Sequence, residues 1–217
     1  MKKIIVFILF LSVTLFAQKG KYGFTVSGAV NFPSGDFNDY YNTQFGGYGG
    51  VFYNFSETGR VGLIIGYNSW SLDLDALNNT VKENGNKGHY NIEAPINSIP
   101  VLLYVKFFFK TETEFHPYVI IEGGAYKISR EIYGKYINEN GNSNNVNYPS
   151  TDITSGGITP GFGFEYPINE ILNLDAAVKY HYIFNEDVYN LGDYGYAASY
   201  STHHFVSIDL GINIIFE

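Results

Sequence analysis

Near its C-terminus the chain reads Val206-Ser207-Ile208-Asp209-Leu210-Gly211-Ile212-Asn213-Ile214-Ile215-Phe216. Apolar residues at the even positions alternate with Ser207, Asp209, Gly211 and Asn213. Successive side chains of a β-strand point to opposite faces, so this segment is a strand with one apolar face and one small or polar face. The same alternation sets Phe24, Val26, Val30 and Phe32 against Thr25, Ser27, Ala29 and Asn31. Similar runs near 44–55, 59–71, 96–109, 118–129, 156–166 and 171–184 bring the expected strands to eight. Most are far longer than the ~5–6 residues usual in soluble sheets. They match the ~9–11 residues that a tilted strand needs to cross a bilayer. No helical periodicity long enough to build a layer competes, and no internal repeat or second domain is visible. The fold class is all-β.

The connections carry a second signal. Ser56-Glu57-Thr58, the stretch Lys110 to Pro117 and Pro167-Ile168-Asn169-Glu170 are short. They alternate with long polar stretches near 33–43, 72–94, 130–153 and 185–203. The third is the most biased, with Asn138, Asn140, Asn142, Asn144, Asn145 and Asn147 around Gly141 and Ser143. Short turns at one end and long loops at the other describe an eight-stranded antiparallel transmembrane barrel with turns in the periplasm and loops outside.

Composition narrows the field. Of 217 residues 45% are hydrophobic, 18% aromatic and only 16% charged, which excludes disorder and a coiled coil. The absence of cysteine excludes a disulfide scaffold, a thiolate metal site and a cysteine nucleophile. Met1-Lys2-Lys3, an apolar run from Ile4 to Phe16, and Ala17-Gln18 form the pattern of a signal peptide, expected to span 1–17. Its removal takes Lys2 and Lys3 and leaves 11 basic against 21 acidic groups. That balance speaks against a nucleic-acid partner, which needs concentrated Lys and Arg.

The chain resembles the small outer-membrane β-barrel proteins of the OmpA/OmpX type, including the PorT-like barrel domains. The likeness rests on Gly28-Ala29-Val30-Asn31-Phe32-Pro33-Ser34-Gly35-Asp36-Phe37, on Ile99-Pro100-Val101-Leu102-Leu103-Tyr104-Val105-Lys106, on His116-Pro117-Tyr118-Val119 and on the final amphipathic strand. It implies a barrel domain over 18–217 in the cell outer membrane, in contact with lipid and lipopolysaccharide and inserted by the barrel assembly machinery. Such barrels commonly end on an aromatic residue, whereas here Phe216 is followed by Glu217.

Alternation alone does not say which face is outside. The polar face is small and weakly charged (Thr25, Ser27, Gly62, Gly66, Thr159, Gly161, Gly163), unlike a solvated surface. The apolar face carries aromatics at its ends: Tyr53, Phe55, Phe107, Phe109, Tyr166 and Phe216 toward the turns, Tyr67, Tyr180 and Tyr182 toward the loops. Aromatic girdles of this kind mark the two lipid–water interfaces. With the apolar face in lipid, parity sends Arg60, Lys106, Glu122, Glu165, Asp175, Lys179, His181 and Asp209 into the lumen. Eight strands leave an interior just wide enough for side chains to fill, so these charges are expected to pair into a plug, with Lys106 meeting Glu122. The competing reading makes them the selectivity residues of a gated polar path.

His181, Asp175 and Ser207 are the residue types of a hydrolase, but no nucleophile elbow or metal-spaced motif accompanies them. No enzyme activity, cofactor or metal is expected. His203-His204 places two rings on opposite strand faces, a poor chelate and a natural loop–strand boundary. The loops are richer in Tyr40, Tyr41, Tyr133, Tyr136, Tyr148, Tyr189, Tyr194, Tyr196 and Tyr200, set among Asn, Gly and Asp. Tyrosine supplies rigid amphipathic area and asparagine adaptable hydrogen bonds, the mixture of recognition loops. The same rings could instead pack the loops together. The expected role is structural or adhesin-like through the loops; the alternative is a narrow pore for ions or small solutes.

Overall fold

The computed structural model describes residues 20–83, 85, 87–184 and 203–216. The expected signal peptide and Tyr189, Tyr194, Tyr196 and Tyr200 lie outside the described residues. Among the described residues nine strands run in chain order: β1 Lys21–Ser34, β2 Gln44–Ser56, β3 Gly59–Trp70, β4 His89–Glu93, β5 Ile96–Phe108, β6 His116–Ile137, β7 Ser143–Pro167, β8 Leu172–Ile183 and β9 His204–Phe216. Between β3 and β4 lies one helix, α1, Leu74–Glu83. Eight strands form a closed antiparallel barrel in which β1 pairs with both β2 and β9, and β6 pairs with both β5 and β7. Strand β4 is extra and, among the described residues, pairs with the far end of β6 alone.

Period two explains the wall. Phe24, Val26, Leu63, Ile65, Leu103, Phe162, Ile208, Leu210 and Ile212 point outward and are exposed, while Arg60, Glu122, Thr159, Ser207 and Asp209 point inward and are buried. This is the reverse of a water-soluble barrel and is the arrangement that lipid requires. Phe107, Phe109 and Phe216 are exposed at the turn end, and Tyr67, Tyr180 and Tyr182 at the loop end. Tyr53, expected among the girdle residues, is instead buried, because Tyr22 covers it at 4.8 Å between ring centroids. Inward glycines let large rings lie flat on the wall. A Cβ on Gly62 would come within 2.5 Å of the Tyr104 ring, and one on Gly163 within 2.6 Å of the Tyr118 hydroxyl.

The three described short connections fall where expected. The long stretch 130–153 does not remain a loop. β6 and β7 run on past the barrel and turn only at 138–142, where the Asn138 side chain accepts from the N–H groups of Asn140 and Asn142, at 3.0 and 2.9 Å. Gly141, at φ +78, takes the left-handed position of that turn. Between Arg130 and Ile132 the register slips, and β7 carries one extra residue. Such a bulge re-aims the strand as it leaves the barrel.

The stretch 72–94 also holds structure that strand periodicity did not show. Asp73 caps α1, its carboxylate accepting the Ala76 N–H at 2.9 Å. Leu74, Leu77 and Val81 form its apolar stripe. The Asn78 side chain grips the edge of β4, accepting from the Tyr90 N–H at 2.7 Å and donating to its carbonyl at 2.9 Å. Leu77 and Val81 then pack with Tyr90, Ile92, Tyr136 and Val146 into a second core above the barrel. Tyr40 and Leu72 touch both this core and the one in the barrel, so the two are continuous.

Candidate functional site

The inward charges form layers. At the turn end, Arg60 sits just past the β2–β3 turn. Its guanidinium donates to both Glu165 oxygens, at 2.6 and 3.1 Å, to Asn54 at 2.7 Å, and lies 4.0 Å over the Phe52 ring. Lys106 donates to Glu165 at 2.8 Å and to Asp175 at 2.6 Å, with its ammonium 3.8 Å above the Tyr118 ring. Asn213 bridges the same two carboxylates at 2.8 and 2.9 Å, and the Tyr118 hydroxyl donates to Asp175 at 2.5 Å. Both carboxylates of this layer are therefore held by cations and by neutral donors together, the condition under which buried ion pairs are tolerated.

Lys106 does not meet Glu122. In the β5–β6 register Lys106 stands opposite Ile120, and Glu122 opposite Tyr104. The narrow lumen lets side chains reach across it, so Lys106 is taken by carboxylates of β7 and β8. Glu122 pairs instead with Lys179 of β8 at 2.8 Å, and the same ammonium lies 2.9 Å from Asp209 of β9. This trio is the middle layer.

Above it His181 joins a neutral chain. Its Nε2 lies 3.1 Å from the Ser207 hydroxyl, and its Nδ1 lies 3.1 Å from the Tyr126 and 3.2 Å from the Thr159 hydroxyls. Ser207 and His181 thus do meet, but Asp175 is six residues away along β8, about 20 Å in an extended strand. Ser207 and His181 are both fully buried, and the imidazole is stacked on Phe205 at 4.0 Å. Among the described residues the pair has no orienting carboxylate, and both side chains are buried.

The loop end of the lumen is closed by apolar rings that sequence reasoning missed. The turn Gly35–Phe37 drops Phe37 into the mouth, 5.4 Å from Trp70 and 4.9 Å from Tyr41, and Trp70 stands 4.9 Å from Phe205. All four are buried. Parity held the signal: Trp70 shares the inward face of β3 with Arg60, and Phe205 that of β9 with Ser207. His203 is buried below the rim with its Nε2 2.5 Å from the Arg130 guanidinium, whereas His204 stacks outside on Tyr182 at 4.2 Å. The two rings do lie on opposite faces at the start of β9.

The loop tyrosines separate. Tyr41 and Tyr136 are buried, Tyr40 and Tyr148 are half-buried against the second core, and Tyr133 is exposed. Tyr194 and Tyr196 lie outside the described residues. Tyr133 belongs to the face of the extended sheet that turns away from α1. There Asn91, Lys135 and Asn145 form one cross-strand row and Glu93, Tyr133 and Asn147 the next. The Tyr133 hydroxyl donates to Glu93 at 2.5 Å, which raises the phenol above its ordinary range.

The sequence matches the family model described as outer membrane protein beta-barrel domain over residues 4–206. The chain belongs to that family. This outer membrane protein beta-barrel domain therefore sits in the outer membrane. Neisserial surface protein A is similar in structure, with a TM-score of 0.53, 13% identity, and coverage of 90% of this chain and 97% of that one. A major outer membrane protein from Thermus thermophilus is similar at a TM-score of 0.53 and 14% identity, covering 90% and 99%. At such identities the likeness is one of fold. No curated protein matches the sequence.

Proposed function

We propose that this outer-membrane barrel is closed to solutes and acts at the cell surface, presenting the sheet of β4, β6 and β7 as an interaction face. The observation that carries this reading is the extension itself. Two barrel strands continue outward and acquire a helix-backed core of their own, and their far face stays polar, with Tyr133 among Asn91, Glu93, Lys135, Asn145 and Asn147. A packed core holds that face in one shape, which lowers the ordering cost of binding. The lumen supports the closed state, since ion pairs fill it and rings cap its outer mouth. Its partners in this reading are outer-membrane lipid and lipopolysaccharide, the assembly machinery, and an external ligand. Catalysis has no part in it.

The test is binding by cells displaying the intact protein to glycan and matrix arrays. Tyr133→Ala together with Lys135→Ala should abolish capture while leaving the heat-modified gel shift intact. Unchanged capture, or none by the parent protein, counts against the reading. The second reading, a narrow pore, draws on a periplasmic vestibule of about 740 Å³ that reaches Arg60 and Glu165.

A further inference from the structure

The charges of the two lower lumen layers do not balance. Arg60 and Lys106 answer Glu165 and Asp175 one for one. In the middle layer, Lys179 pairs with both Glu122 and Asp209, while Lys106, which lines the same cavity, is held by Glu165 and Asp175. Arg130 is the next inward cation on β6, but it lies eight residues beyond Glu122, about 26 Å along the strand, at the mouth against His203. His181, the next inward residue on β8, has its two nitrogens on hydroxyl groups and so does not face either carboxylate. One negative charge is therefore left on the Glu122–Asp209 pair inside a protein wall, where an uncompensated ion costs several kcal/mol.

Beside the pair is a cavity of about 40 Å³, lined by Glu122, Asp209, Lys179, Thr25 and Ser27, and also by Lys106 and Asp175, which pair with each other at 2.6 Å. Glu122 is 2% exposed and Asp209 4%. Lys179 holds Oε1 of Glu122 and Oδ2 of Asp209, while the other oxygen of each carboxylate, Oε2 and Oδ1, has no hydrogen-bond partner among the described residues. Unsatisfied carboxylate oxygens, two hydroxyl acceptors and room for about three water-sized spheres meet at one place. Oxygen-only donors select hard cations. Among the described residues no three His, Cys, Asp or Glu side chains converge as a metal cage.

We infer that this mid-barrel cavity binds one partly hydrated alkali cation, held by Glu122 and Asp209 opposite Lys179. The ion restores neutrality in the layer and couples β6 to β9 across the lumen.

The experiment is thermal unfolding of the refolded full-length barrel in sodium or potassium chloride, against N-methylglucamine chloride at equal ionic strength. An alkali ion should raise the midpoint by about 2–4 °C. Glu122→Gln and Asp209→Asn, which remove the excess charge and keep the shape, should each erase the difference. An equal midpoint in all salts, or a difference that survives both substitutions, overturns the site. Where a variant does not fold, diffraction from wild-type crystals soaked in thallium(I) decides: an anomalous peak beside Glu122 and Asp209 supports the site, and its absence refutes it. A carboxylic-acid infrared band in the wild-type protein that vanishes in Glu122→Gln would mean that a proton neutralises the pair, and refutes the cation equally.

Discussion

Strands β6 and β7 pass through two regions built on opposite rules. Within the barrel their outward residues are apolar (Val119, Ile121, Phe162, Phe164) and their inward ones include Glu122, Thr159 and Glu165. Beyond Arg130 the outward residues are Glu131, Tyr133 and Lys135, and the inward ones Ile132 and Tyr136 against α1. The pleat is continuous and the side-chain period is two in both regions. What changes is the solvent. Lipid takes the apolar face in one and water the polar face in the other, and the outward face turns polar already at Lys127, Ser129 and Asp152, just before the β7 bulge. A strand's alternation thus reports that one face is buried, and the chemistry of the other face reports in what.

The comparison breaks most sharply if the lumen charges are not a unit. Glu165 holds Arg60, Lys106, Asn173 and Asn213 at once. Glu165→Ala takes the carboxylate from buried Arg60 and leaves Lys106 with Asp175, and should cost about 3–5 kcal/mol, read as a large fall in the temperature of the gel shift or as failure to refold. A stability within experimental error of wild type would show that the layer is not coupled. The inversion itself is tested by a matched pair of variants. Leu103→Arg, on the exposed face of β5, should cost about 2–4 kcal/mol when the barrel is refolded into bilayers, whereas Asn91→Arg on β4 should cost nothing measurable. Equal costs would place both faces in the same solvent.

Smaller effects sharpen the outer region. Asn78→Ala removes both hydrogen bonds that tie α1 to β4 and should destabilise the extension by about 1–3 kcal/mol. Limited proteolysis should then cut near α1 while the barrel fragment stays intact; cleavage unchanged from wild type argues that the second core stands without the clasp. The smallest effect is spectroscopic. Donation to Glu93 raises the Tyr133 phenol above its ordinary value of 10, so this contact is complete below that pH and is lost as pH rises through the raised value. Glu93→Gln should shift one tyrosine ionisation downward in the ultraviolet difference titration, and a superimposable titration would show that the bond is absent in solution.

Much of the barrel was legible in the sequence because a wall with lipid outside and a filled lumen inside leaves no freedom in alternation. That is why the inward set from Arg60 to Asp209 is found where parity sends it. The partners were less legible. Lys106 and Glu122 are near neighbours along adjacent strands, but a narrow lumen brings β7 and β8 within reach of a lysine side chain, and reach across a barrel is invisible to strand order. The extension was hidden for a different reason. Asn144, Asn145 and Asn147 suggest a loop by composition, yet at an exposed sheet face water satisfies them and Tyr136, Lys135 and Tyr133 pair opposite. α1 has only three stripe residues in ten, too few to stand out beside strands of twelve or more. The cap of Phe37, Trp70 and Phe205 was less legible because strand parity sends Trp70 and Phe205 inward without showing that the turn after β1 carries Phe37 onto Trp70.

The most direct measurement is single-channel conductance of the refolded full-length protein in a planar bilayer, with insertion verified by the gel shift. A folded barrel that stays silent, and stays silent in Trp70→Ala because the charged layers below the cap still fill the lumen, is the expected result. Discrete, stable openings in the wild-type protein would contradict the closed lumen and make the charged layers a conduction path.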